Sequence, residues 1–501
     1  MRSENRFVVV HARASGPGPD GSAGRGFAGL RARPGPFAGR GGCGPRPAFG
    51  RDVGFRLATR RSVVPRRDAR VAGLTAWPAV GRALALWLVI FAAFAATAGL
   101  PASPGRDLSV REAQTLLVTE SIVSDRDLDL GDEYGSRAWR DFFPGDLAPR
   151  AGPRNGRLFD PVGIAFPLLI APAYALGGRI AVELFLAAIA AVAYVLAAAL
   201  ARRIVPEPWA TGAALVAALS PPALVASTTI APDAVAGTVI AGAALLALRV
   251  RERPLLLLAF WCAVLVAALP WLGAKFVAPA AVVALAAARW LRRRQRGLAG
   301  LVALEVVIFS VVLYVTVNDR LYGGPFPGAL LPDPGPTGAS GIGEHLARTP
   351  RLLGLWIDRD AGLLVWAPFA ALSFVAVWLL VRSRRERLAI ALSEQVDVEV
   401  TAGFYVAICG ATVAFAAFLA PTIAGAWFPG HELVCVFAPG AALAAWGLRR
   451  LPRTGRVLAV VTLVASVWVL VVARVDDGTG LASPHGPLPW AGVERVLPRL
   501  R

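Results

Sequence analysis

The chain has 501 residues, of which 56% are hydrophobic and 17% charged, with a formal net charge of +19. Soluble globular proteins carry about a quarter charged residues, and the mean hydropathy of +0.57 excludes that class. Nucleic-acid binding is a poor account of the positive excess, because the arginines collect in short loops between apolar runs, where they set membrane orientation.

Residues 1–77 are rich in Gly, Arg and Pro, as in RASGPGPDGSAGRG and RARPGPFAGRGGCGPRP, and cannot bury a core. They read as a disordered basic cytoplasmic tail able to touch anionic lipid. A start codon assigned too early would give the same composition.

A transmembrane domain is expected over 78–475. Runs of Ala, Leu and Val match a bilayer core about 30 Å thick. They fall near 83–100, 180–200, 208–228, 233–249, 255–271, 275–290, 298–317, 361–381, 401–420, 432–448 and 455–474. The expected fold is therefore an all-α polytopic membrane protein of about 11 transmembrane helices. Residues 161–178 are left as a short helix at the membrane surface or partly inserted.

The loops ARR (201–203), RVRER (249–253), RWLRRRQR (289–296), RSRRER (382–387) and RRLPRTGR (449–456) alternate with loops of mixed or little charge. The positive-inside rule puts the arginine loops and the N-terminus in the cytoplasm. It puts the two long loops, 101–179 and 318–360, and the C-terminal tail, 476–501, outside it, in a multi-pass plasma-membrane topology. The long outer loops are expected to form a cap of short helices over a cavity.

Within the first outer loop, SVREAQTLLVTESIV (109–123) has helical spacing and places Glu112, Leu116 and Thr119 near one face. Ser109 and Glu112 form an S-x-x-E capping box, which offers Glu112 a purely structural role. The run SDRDLDLGDEY (124–134) holds five carboxylates. Asp125, Asp127 and Asp129 have the one-three-five spacing of a calcium loop. That loop needs Gly at its sixth position and Glu at its twelfth, where this chain has Leu130 and Ser136. The reading is a solvated acidic segment that shapes the acceptor side without binding calcium, and no metal ligands are assigned.

Further along, Asp233 opens a span directly after Pro232, where a carboxylate also suits the helix dipole. Lys275 lies between two spans on the expected outer side, either snorkelling or meeting a lipid phosphate. Arg320 and Arg359 are weaker candidates of that kind. His431 and Glu432 enter the tenth span together, and a Glu at the outer membrane edge without a basic neighbour is costly unless hydrated or paired. Glu305 lies inside the seventh span, where hydration or pairing with a nearby Arg is expected. The cysteines, Cys43, Cys262, Cys409 and Cys435, form no metal-binding spacing.

The motif order then resembles a known family. SIVSDRDLDLGDEY (121–134) follows the first span. GRLFDPVGIAFPLLIAPAYALGG (156–178), SPPALVASTTIAPD (220–233), ALPWLGAKF (268–276), NDRLYGGPFP (318–327), LLGLWIDRDAGLLVWAP (352–368) and GAWFPGHELVCVFAP (425–439) come after it in turn. This order resembles the bacterial polyprenyl-phosphate-sugar glycosyltransferases of the GT-C superfamily, which are similar to protein mannosyltransferases and lipid A aminoarabinose transferases. The resemblance covers about 83–450, most of the membrane part.

It implies transfer of a sugar from a polyprenyl-phosphate donor to an extracytoplasmic acceptor, whether lipid, glycan or protein. It also implies membrane lipid as a partner, and no nucleic acid. An acidic residue after the first span acts as general base, because an acceptor hydroxyl is a poor nucleophile until its proton is taken. Glu112 and Asp107 are the expected catalytic carboxylates, and Arg111 stands where relatives have an Asp. Asp233 and Asp125 are a second acidic group or acceptor contact. Lys275, Arg320 and His431 are the expected lipid-phosphate contacts, since charge develops on the leaving oxygen. No cofactor is assigned, although a divalent metal is compatible with the chemistry. A non-catalytic transporter or lipid-handling protein, or a GT-C scaffold that has lost its site, are the alternatives.

Overall fold

The computed structural model describes residues 69–101, 107–332, 337–339, 341–386, 393–423, 428–475 and 497–499. The expected tail lies outside these residues up to position 68. The first helix begins earlier than the sequence suggests, with α1 at Ala69–Ala95. It is followed by α2 (Val110–Ser124), α3 (Gly131–Ser136), α4 (Ala165–Ala201), α5 (Trp209–Ala218), α6 (Pro221–Thr228), α7 (Asp233–Glu252), α8 (Leu256–Leu272) and α9 (Val277–Arg293). Then come α10 (Gly297–Tyr322), α11 (Ile342–Ala347), α12 (Arg351–Ile357), α13 (Leu363–Trp366), α14 (Leu372–Glu386), α15 (Ser393–Phe418), α16 (Phe437–Arg450) and α17 (Pro452–Val475).

The protein is an all-α, multi-pass membrane protein. Among the described residues seven helices are long and apolar enough to cross a membrane. The pair α5 and α6 is apolar enough to count as an eighth if taken together, but is bent by 61° at its break. Shorter apolar helices at Val80–Ala95, Leu256–Leu272 and Pro368–Arg382 occupy three more of the expected spans without meeting that length.

The breaks have local causes. Pro221 and Pro222 follow Ser220, which is held extended at φ −70° and ψ 149°. Proline disfavours helix in the residue before it, so the span bends there. From Ala165 the expected short helix forms as the first part of α4, set off from the expected 180–200 span by non-helical Gly177 and Gly178. The expected span 361–381 is likewise broken, with α13 and a 3₁₀ turn at Pro368–Ala371 before α14.

The centre of the bundle is built from α4, α7 and α16, which pack on one another. Their buried faces are largely alanine, including Ala187, Ala191, Ala241, Ala244, Ala442 and Ala445. Small residues let helices approach closely where lipid supplies no hydrophobic drive. In contrast, α10 shows Leu301, Leu304, Ile308, Phe309 and Val312 to its surroundings, as a lipid-facing helix does.

The closest approach of another helix's backbone to a described glycine is at Gly447 of α16, where a Cβ would collide with the Leu372 carbonyl oxygen of α14. Backbone cannot yield as a side chain can, so Gly447→Ala is expected to destabilise by about 1–3 kcal/mol. Gly410→Ala, inside α15 with open space around the new Cβ, is expected to keep or slightly raise the thermal midpoint that Gly447→Ala lowers.

Side-chain pairs sort the loops into two ends. Arg203 pairs with Glu252, and Arg251 pairs with Asp397 and reaches the Trp290 ring at 5.8 Å, which gathers the arginine-rich loops at one end. Glu112 of α2 and residues 230–233, 275 and 431–432 meet at the other.

Candidate functional site

The acidic end is organised by the turn between α6 and α7. Glu112 fixes α2 to it. Ser109 Oγ accepts from the Glu112 amide at 3.3 Å, and Glu112 Oε2 accepts from the Ser109 amide at 2.9 Å, so the predicted capping box forms. Its other oxygen, Oε1, accepts from the Ile230 amide at 2.9 Å. The residue is only 3% exposed. Burial raises its pKa above the usual carboxylate value, outweighing the two backbone bonds that favour the anion.

Three residues beyond Ile230, Asp233 starts α7. On the neighbouring side α8 ends at Leu272, and Ala274–Phe276 forms a single 3₁₀ turn before α9. That turn carries Lys275, whose Nζ lies 2.6 Å from Asp233 Oδ1 and 3.5 Å from Glu432 Oε2. Glu432 comes from the 3₁₀ segment His431–Val436, and its Oε1 is 3.0 Å from His431 Nε2. The 431–436 segment lies against α7 at Gly237, where even an added Cβ would make only ordinary contact with the Cys435 backbone, at 3.4 Å.

The expected isolation of Glu432 is therefore corrected, because Lys275 is its basic neighbour. Arg111 adds a second cation. Solvent reaches it from one side, yet burial and then Arg150 hold its pKa below the usual value, against the pull of Glu432 and Asp233. It thus stands in the electrostatic field of the Lys275 cluster, although sequence alone presented it only as a lost Asp.

The remaining expected residues lie apart from this cluster. Asp107 is exposed and pairs at 3.0 Å with Arg179, which also holds Glu183 at 2.6 Å. Asp125 caps the end of α2 near Asp132 and Glu133. Arg320 is exposed in the last turn of α10, and Arg359 donates its backbone amide to the Pro498 carbonyl at 3.1 Å.

The second long loop is pinned over the end of α15. Arg348 donates to the carbonyls of Phe418, Ala420, Thr337 and Gly338 at 2.8–3.2 Å, and Arg351 donates to Ala420 at 2.8 Å. Such contacts satisfy carbonyls that a helix end leaves unpaired. The Gly430 amide then donates to Ala361 at 3.1 Å, tying this loop to the turn that presents His431.

Chemically, the cluster offers two cations and two carboxylates at one end of a membrane bundle. It can receive a phosphate on Lys275 and Arg111, and a proton on a carboxylate.

No family model and no curated protein matches the sequence. Among solved structures, ArnT from Cupriavidus metallidurans in the apo state is similar over 77% of this chain, at 18% identity and a TM-score of 0.46. This chain spans 62% of that protein's length. ArnT from the same organism bound to undecaprenyl phosphate is similar over 80% of this chain and 72% of its own, at 16% identity and a TM-score of 0.43.

Proposed function

We propose that the chain is a membrane glycosyltransferase that moves a sugar from a polyprenyl-phosphate donor to an extracytoplasmic acceptor. The observation that carries this reading is the Lys275–Asp233–Glu432 cluster, which attracts the Arg111 guanidinium electrostatically, at the membrane-edge end of α7, α8 and the 431–436 segment. The motif order from 121 to 439 gives independent support.

In this mechanism the donor phosphate binds Lys275 and Arg111, and in doing so draws Lys275 away from Asp233. The freed Asp233 carboxylate takes the acceptor hydroxyl proton. The acceptor oxygen forms the new bond to the sugar C1 as the C1–O bond to phosphate breaks. The electron pair leaves on the polyprenyl phosphate, whose growing charge the two cations neutralise. Glu432, held by His431, keeps Lys275 in place through the cycle. Glu112 is a positioning residue in this scheme, since both its oxygens are engaged by backbone. Asp107 remains on the acceptor side, where its exposed carboxylate can orient the incoming group.

The test is binding of a polyprenyl phosphate to the full chain in detergent. Lys275→Ala is expected to weaken binding at least tenfold, and Arg320→Ala to leave it within twofold. Equal binding by wild type and Lys275→Ala would remove the phosphate role from Lys275.

A further inference from the structure

The five carboxylates of SDRDLDLGDEY divide into two groups with different uses. Asp127 and Asp129 spend theirs on the turn itself. Asp127 Oδ1 accepts from Ser121 Oγ at 2.9 Å and from the Asp129 amide at 3.2 Å. Asp129 Oδ1 accepts from the amides of Leu158 at 2.8 Å and Gly131 at 3.2 Å.

The other three converge. Asp125, Asp132 and Glu133 each offer an oxygen, and all three oxygens lie within 4.8 Å of one another. Among the described residues none of the three forms an ion pair with a Lys or Arg. Glu133 is only 4% exposed, and neither of its carboxylate oxygens accepts a hydrogen bond. A buried carboxyl group is normally hydrogen-bonded, paired or bound to a metal, and this one lies against two more carboxyl groups.

From this geometry we infer that Asp125, Asp132 and Glu133 form a binding site for a calcium-class divalent cation, which ties the end of α2 to α3. The ligands are all carboxylate oxygens, which select hard cations over zinc or copper. Oxygens sharing one Ca²⁺ at roughly 2.3–2.6 Å are separated by at most about 5 Å, whereas the tighter Mg²⁺ shell of roughly 2.0–2.1 Å holds them within about 4.2 Å. Three oxygens within 4.8 Å of one another can meet on either ion. Carboxylates on an exposed turn suit the larger, more flexible Ca²⁺ shell better than the near-ideal octahedron that Mg²⁺ demands. Asp125 and Asp132 are exposed, so water can complete the coordination. The arrangement is not the one-three-five loop suggested by spacing, and it departs from the expectation of an acidic segment without a metal. It stands whether or not the chain transfers sugar.

The test uses Tb³⁺ as the probe on the full chain in detergent. Tyr134 adjoins Glu133 and lies 5.4 Å from Trp139, ring centre to ring centre, so excitation of these rings sensitises a lanthanide bound there. Saturable Tb³⁺ emission is expected, displaced by Ca²⁺ at lower concentration than by Mg²⁺. Glu133→Gln and the surface change Asp132→Asn should each weaken Tb³⁺ at least tenfold, whereas Asp397→Asn at the far end should not. Ca²⁺ should also raise the thermal midpoint of wild type and not of Asp132→Asn. Absence of saturable emission from folded wild type, or equal emission from wild type and both site variants, would overturn the site. So would a Glu133→Gln variant that is more stable than wild type in calcium-free buffer while Ca²⁺ stabilises neither, because the cluster would then hold a shared proton.

Discussion

Lys275→Met is expected to abolish sugar transfer and to destabilise the protein by about 3–5 kcal/mol, the usual cost of removing one partner from a buried ion pair. The reason is local. Asp233 and Glu432 both face Lys275, at 2.6 and 3.5 Å, and their side chains are only 10% and 13% exposed. Without the ammonium, Asp233 loses its ion pair and Glu432 keeps its contact with His431, with Arg111 acting on both only at longer range. The double variant Lys275→Met with Asp233→Asn should recover most of the lost stability, because one orphaned charge goes with its partner. It should recover none of the transfer, because the phosphate contact and the proposed base are both gone. Recovery of stability and transfer together would make the cluster a structural staple only.

Glu112→Ala is the second large effect, and it acts on the fold. It orphans the buried amides of Ser109 and Ile230, each costing about 1–3 kcal/mol. Glu112→Gln should cost less, since it keeps one acceptor oxygen and removes a buried charge. Their pH behaviour separates them further. Burial raises the folded pKa of Glu112 above its unfolded value, which for a free Glu is about 4.3. The folded state therefore holds the proton more tightly, and the stability this contributes is complete below about pH 4.3 and lost as pH rises through the folded pKa. The stability margin of wild type over Glu112→Gln should accordingly shrink from acid toward neutral pH. A margin that grows over that range would contradict burial as the dominant influence. In transfer assays Glu112→Gln should lose activity only in proportion to folded protein.

Much of the scaffold was legible because an apolar run about as long as a bilayer is thick has few alternatives to a spanning helix. The bend at Pro221 and the kink at Gly177 and Gly178 were written in residues that interrupt helices. The Ser109–Glu112 capping box was legible from its spacing alone. The second bond of Glu112, to Ile230, was not, because it depends on how α2 lies against the α6–α7 turn. The same holds for the Lys275 cluster. Asp233, Lys275 and His431 each stood out singly at a span end, but their meeting with Glu432 is a product of how α7, the 274–276 turn and the 431–436 segment pack. Asp125, Asp127 and Asp129 are a different case. Their one-three-five spacing lacks the Gly and Glu of a calcium loop, and local hydrogen bonding assigns Asp127 and Asp129 to the turn while Asp125 lies near Asp132 and Glu133.

The central claim is sugar transfer at the Lys275 cluster. Its most direct test is transfer from radiolabelled polyprenyl-phosphate sugars in membranes containing equal amounts of folded wild type, Asp233→Asn and Glu112→Gln. Transfer by wild type and by Glu112→Gln, with loss in Asp233→Asn, is the predicted result. Transfer that survives in Asp233→Asn and vanishes in Glu112→Gln would contradict the proposed base, and absence of transfer by wild type across the donor panel would contradict the enzyme itself.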